Sequence, residues 1–144
     1  MRVVLDTNVL VSGLLSPFGP PGEIVRMVSS GEITLCLDAR VFSEYAEVLA
    51  RPRFSFDPDE IAALLDFAAH AGLTVAASPL PAALPDPDDE PFLEIALTCG
   101  AEYLITGNRA HFPDDLCQGV VVASPAQFME SYREKRNNPT TGST

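Results

Sequence analysis

The sequence predicts an α/β protein, a three-layer α/β/α sandwich around a central parallel sheet. Five short apolar runs alternate with stretches of helical periodicity along the chain. The runs are continuously apolar, the pattern of strands buried on both faces. A third observation sets the scale. The 144 residues carry no internal repeat and no shift in composition, so they make one domain large enough to bury a core. We expect that domain to span residues 1–136, with a disordered tail over 137–144.

Residues 2–6 read as the first strand, short and β-branched. Residues 9–15 read as a short helix. Ser16 to Gly22 holds three prolines and reads as a loop. From Glu23 to Ser30, Ile24, Met27 and Val28 fall on one helical face, and Gly31 suits the stop. Residues 33–37 form the second strand. Asp38 can cap a helix over 39–50, which Pro52 ends. Asp57 before Pro58 opens a helix to Ala71, stopped at Gly72. Residues 73–76 make a third strand, and 78–91 a loop with five prolines and four acids. A helix over 90–99 ends at Gly100. Strands at 102–106 and 119–123 and a helix over 125–136 complete the domain.

Composition narrows the class. An apolar fraction of 47% excludes a disordered chain. No apolar run reaches the ~18 residues of a membrane helix. Asp6 interrupts the N-terminal apolar stretch, unlike a signal peptide, so we expect a cytoplasmic protein with no membrane partner. Cys36, Cys99 and Cys117 follow no zinc or disulfide spacing and read as reduced thiols. The net charge of -11 argues against broad electrostatic binding of nucleic acid. It leaves room for a nuclease, because a bound cation inverts the local sign at an acidic site.

The acids carry the chemistry. Asp6 closes the first strand, where α/β sheets bind ligands, with Thr7 and Asn8 behind it. Thr106 and Asn108 follow a later strand at the same edge. Glu44 shares a helical face with Val41 and Val48, where a glutamate must reach solvent or meet a cation. Asp89 opens a helix and leads its apolar face; a plain N-cap is the alternative. Asp86 and Asp88 read as loop acids, and Glu90 and Glu94 as supporting or solvated. Glu47 reads as a surface partner of Arg40 and Arg51. His111, followed by Phe112 and Pro113, reads as loop packing, and His70 as solvent-facing. Oxygen ligands on a strand end, a helix face and a helix start suit one hard divalent cation.

The motifs Leu5-Asp6-Thr7-Asn8-Val9-Leu10-Val11-Ser12, Gly19-Pro20-Pro21-Gly22, Ser43-Glu44, Asp86-Pro87-Asp88-Asp89, Tyr103-Leu104-Ile105-Thr106-Gly107-Asn108 and His111-Phe112-Pro113 occur in this order. In them the chain resembles the PIN-domain ribonucleases, specifically the PIN-family toxins of bacterial toxin–antitoxin systems. The resemblance implies a PIN-like sandwich and Mg²⁺- or Mn²⁺-dependent cleavage of RNA. It matches the metal-holding catalytic acids to Asp6, Glu44 and Asp89. Asn108 stands where many members carry a fourth acid. Thr7, Asn8, Thr106 and Asn108 are then expected to orient waters or carboxylates. The expected partners are an RNA substrate, a cognate antitoxin protein and a second copy of the chain, as a homodimer.

Two rivals stand beside this. A phosphotransfer site on a similar sheet also uses a strand-end Asp, but needs a lysine near the later strands. The only lysine is Lys135, in the last helix. The other rival is a PIN-like module that binds RNA or a partner without cleaving.

Overall fold

The computed structural model describes residues 1–137. Strand β1 (Arg2–Leu5) leads into α1 (Thr7–Leu15) and α2 (Pro20–Ser30), then β2 (Thr34–Leu37) and α3 (Ala39–Leu49). A 3-10 turn at Pro52–Phe54 precedes α4 (Pro58–Ala71) and the two-residue β3 (Leu73–Thr74). A second 3-10 turn, Pro87–Asp89, runs directly into α5 (Glu90–Cys99). Then come β4 (Tyr103–Ile105), 3-10 turns at Arg109–His111 and Asp114–Leu116, β5 (Val121–Ala123) and α6 (Pro125–Asn137).

The five strands are parallel in the order β3-β2-β1-β4-β5. Val3, Val4 and Leu5 are consecutive and all fully buried, so both faces of β1 are covered. The chain builds outward from β1 in one direction through β2 and β3. It then returns to the other side of β1 with β4 and β5. The reversal lies between β1 and β4, and open α/β sheets bind ligands at the carboxyl ends of the strands at such a point. Leu5 pairs with Ile105 there, so Asp6 and Thr106 leave the sheet side by side.

Local chemistry accounts for most boundaries. Gly31 and Gly100 end α2 and α5 at φ of 81° and 64°, a region where a side chain is strained. Close approach of α1 and α2 depends on Gly13, since a Cβ there would lie 2.6 Å from the Pro21 carbonyl oxygen.

The sequence reading misjudged some edges. The segment 16–22 is not all loop: α2 starts at Pro20, because prolines at the first two helical positions sacrifice no hydrogen bond. The expected strands over 73–76 and 119–123 shorten to two and three residues. Gly119 adopts φ 89°, which breaks the extended run before β5. Helix α6 includes Asn137, the first residue of the tail expected over 137–144, and residues 138–144 lie outside the described residues. No helix among the described residues is long and apolar enough to cross a membrane.

Candidate metal centre

Four aspartates occupy α-helix N-cap positions: Asp6, Asp38, Asp57 and Asp89. Two of them cap. Asp38 accepts from the Val41 N–H and Asp57 from the Asp59 N–H. Asp6 and Asp89 make no capping hydrogen bond. Both are nine-tenths buried, and both line the same cleft of about 220 Å³. A carboxylate buried at a helix start, and not used to cap it, is available for other chemistry.

Hydrogen bonds along the sheet edge fix the rest of the cleft. The Asp6 N–H donates to the Ile105 carbonyl at 3.0 Å, locking the exit of β1 to β4. Thr106 Oγ1 donates to Asp6 Oδ2 at 2.8 Å and accepts from the Asn108 N–H at 3.1 Å. Glu44 reaches the cleft from α3, where Thr7 Oγ1 donates to its Oε2. The next residue, Tyr45, is fully buried and donates its hydroxyl to the Leu5 carbonyl at 2.6 Å, fastening α3 to the end of β1. Burial, with Asp6 and Glu44 nearby, pushes the Tyr45 phenol well above its ordinary pKa. Asn8 is exposed at the cleft wall. Thus Asp6, Glu44 and Asp89, from three separate segments, share one cleft with Thr7 and Asn8.

A tighter group lies at its edge. Asp86, Asp89 and His111 offer ligand atoms all within 4.8 Å of one another. His111 Nδ1 is 2.9 Å from Asp89 Oδ2, and His111 Nε2 is 2.9 Å from Asn108 Nδ2. The Asp89 contact is a close approach without hydrogen-bond geometry, so the buried Oδ2 has no hydrogen-bond partner among the described residues. Burial first, then repulsion from Asp6, raises the Asp89 carboxyl above its ordinary pKa, while His111 lowers it in part. An orphaned buried oxygen among carboxylates fits a divalent cation.

Three side chains make contacts that the residue-by-residue reading did not anticipate. The turn His111-Phe112-Pro113 packs the loop through the buried Phe112, as expected, but His111 also turns toward Asp89. Asp86 is more than a loop acid, since it joins that group. A spacing signal was present for both. In a 3-10 turn, residues i and i+3 eclipse, so Pro87–Asp89 brings Asp86 beside Asp89 and Arg109–His111 brings Asn108 beside His111. Arg40 leaves Glu47 to Arg51 and instead bridges Asp38 and Glu94 at 2.7 and 2.8 Å. Glu94 is therefore buried and paired, not solvated. His70 faces solvent, as its helix-end position predicts.

Arg51, Arg53 and Phe54, from the α3–α4 connection, also line the cleft. The Arg53 guanidinium stacks over the Phe54 ring at 4.7 Å.

The family model described as "PIN domain" matches residues 2–110, from β1 into the turn that carries His111. No curated protein matches the chain.

Proposed function

The chain belongs to the PIN-domain family, and on that premise we propose that it is a metal-dependent endoribonuclease acting on single-stranded RNA. The observation that carries this is the pair of buried, non-capping aspartates, Asp6 and Asp89, facing one cleft with Glu44. Buried acids that do not cap the helices they open, gathered with Glu44 at the reversal point of a parallel sheet, support a catalytic reading over a passive fold.

Asp6, Glu44 and Asp89 would hold Mg²⁺ or Mn²⁺. A cation bound there supplies activation of water and neutralisation of charge at a phosphodiester. The remaining work falls to the chain itself. Thr106 and Thr7 hold the Asp6 and Glu44 carboxylates at fixed angles. Tyr45 fixes α3, and so Glu44, relative to β1. Arg51 and Arg53 offer guanidiniums to backbone phosphates on a chain with only nine basic residues and a net charge of -11.

The biological setting follows the resemblance: a toxin restrained by a cognate antitoxin, acting in the cytoplasm as a homodimer. The acidic surface suits a basic protein partner.

The test is Asp6→Asn, which keeps shape and removes a charge. Wild type should cleave single-stranded RNA with Mg²⁺ or Mn²⁺ and lose this with a chelator. The variant should fall to background with an unchanged circular dichroism spectrum. Full activity in the folded variant would remove Asp6 from the mechanism.

A further inference from the structure

Asp86, Asp89 and His111 do something that the Asp6–Glu44 part of the cleft does not. They bring a nitrogen donor into an otherwise oxygen-lined site. We propose that these three residues form a second cation position at the cleft edge, sharing Asp89 with the first, and that it takes a transition ion such as Mn²⁺, Co²⁺ or Zn²⁺ in preference to Mg²⁺. The inference rests on the reading of the cleft as a metal centre.

The geometry is close to what an ion needs. Two bonds of about 2.1 Å span at most roughly 4.2 Å between ligand atoms. The three groups already lie within 4.8 Å of one another, so movements of a few tenths of an ångström close them on an ion. The independent sign of a missing ligand is Asp89 Oδ2. It is buried, points at His111 Nδ1, and has no hydrogen-bond donor among the described residues. Neither Asp86 nor Asp89 is tied to a basic side chain other than His111 among the described ion pairs.

Asn108 completes the arrangement as a positioning residue. Its amide lies 2.9 Å from His111 Nε2. An amide can present either its NH₂ or its oxygen to that nitrogen. When Nδ1 ligates an ion, Nε2 carries the proton, and the Asn108 oxygen can accept it. Such a partner on the far nitrogen fixes the tautomer and orientation of a metal-bound histidine. The chemistry sets the preference, because imidazole suits the later first-row ions and carboxylate with water suits Mg²⁺.

The experiment titrates the whole protein with Co²⁺, Mn²⁺ and Mg²⁺, following Co²⁺ visible absorption and binding heat, with RNA cleavage measured in parallel. Wild type should bind Co²⁺ with ligand-field bands and resist displacement by Mg²⁺. His111→Ala should bind Co²⁺ at least ~10-fold more weakly, with altered bands, while Mg²⁺ binding stays within about twofold. Asn108→Ala should keep the bands and lose about 10-fold in affinity. His111→Gln serves if the alanine variant does not fold. Co²⁺ spectra and affinities that are the same in wild type and folded His111 variants would overturn the proposal. Co²⁺ binding that depends on His111, without RNA cleavage under any ion, would support the cation position and overturn the nuclease reading alone.

Discussion

Thr106 and Asp6 lie 100 residues apart in sequence and are joined by a 2.8 Å hydrogen bond from hydroxyl to carboxylate. The bond exists because Leu5 pairs with Ile105, which places both next residues at the same sheet edge. Thr106 is fully buried and also accepts the Asn108 N–H. Thr106→Val keeps the shape and removes the donor and the acceptor. It should lower stability by about 1–3 kcal/mol, because polar groups are left without partners. It should also raise the Mn²⁺ concentration needed for half-maximal cleavage by about 10-fold, since Asp6 loses its orientation. Denaturant melts and a metal titration of cleavage check both. A stability loss with an unmoved metal dependence would make the hydroxyl purely structural.

Arg40 binds two buried carboxylates at once. It meets Asp38, which caps α3, and Glu94, whose other oxygen accepts the Leu80 N–H. Nearby, Glu90 accepts the Leu84 N–H. These contacts fasten the segment that ends in Asp86 and Asp89. Arg40→Met should cost about 2 kcal/mol, below the usual penalty for a buried pair because the guanidinium is half exposed. Arg40→Met with Glu94→Gln should cost less than the sum of the two singles. Additive losses in urea melts would show that the two residues do not act together.

How far the sequence was legible depended on range. Each α-helix and its approximate bounds followed from apolar periodicity, and Gly31, Gly100, Asp38 and Asp57 act at the ends where local chemistry places them. Asp6, Glu44 and Asp89 stand out because each adjoins an apolar pattern, at the end of a strand, within a helix face and at the head of a helix. Arg40 did not stand out, because its partner Glu94 is 54 residues away and only the α3–α5 packing brings them together. His111 was missed differently. Its contact with Asn108 is local, but the segment reads as a loop, and only the 3-10 turn over Arg109–His111 brings i and i+3 together. The brevity of β3 is a tertiary matter, since only Leu73 and Thr74 find partners on β2.

A cation that binds only the folded state stabilises it by mass action. Thermal melts should therefore rise with millimolar Mn²⁺ and, at higher concentration, with Mg²⁺, following the affinity order of divalent ions on mixed ligands. At an ion concentration 100 times the dissociation constant the gain is about 2.7 kcal/mol. Asp6→Asn should blunt the shift. Melting temperatures that ignore both ions would argue against a metal centre of any composition.

The last prediction uses the electrostatic cost of the metal-free site. Burial, and then the Asp6 charge, raises the Asp89 carboxyl above its ordinary value, with His111 offsetting part of this. The native state therefore holds this proton more tightly than the unfolded chain does. Where the native state binds more protons, stability falls as pH rises. Asp89 thus weakens the metal-free fold above the window between its unfolded pKa, about 3.9, and its raised folded value, and does so fully at neutral pH. Asp89→Asn removes the charge and keeps the shape, so the metal-free variant should melt higher than wild type at pH 7. The gap should close as pH falls toward about 4, where wild type takes up the proton. Adding Mn²⁺ at pH 7 should reverse the order, because wild type regains a ligand charge that the variant lacks. Differential scanning fluorimetry from pH 4 to 8, with and without Mn²⁺, reads all three. A variant that melts below wild type at pH 7 without metal would mean that the His111 pairing outweighs burial and the Asp6 charge. Asp89 would then be a structural ion-pair partner and not a strained ligand.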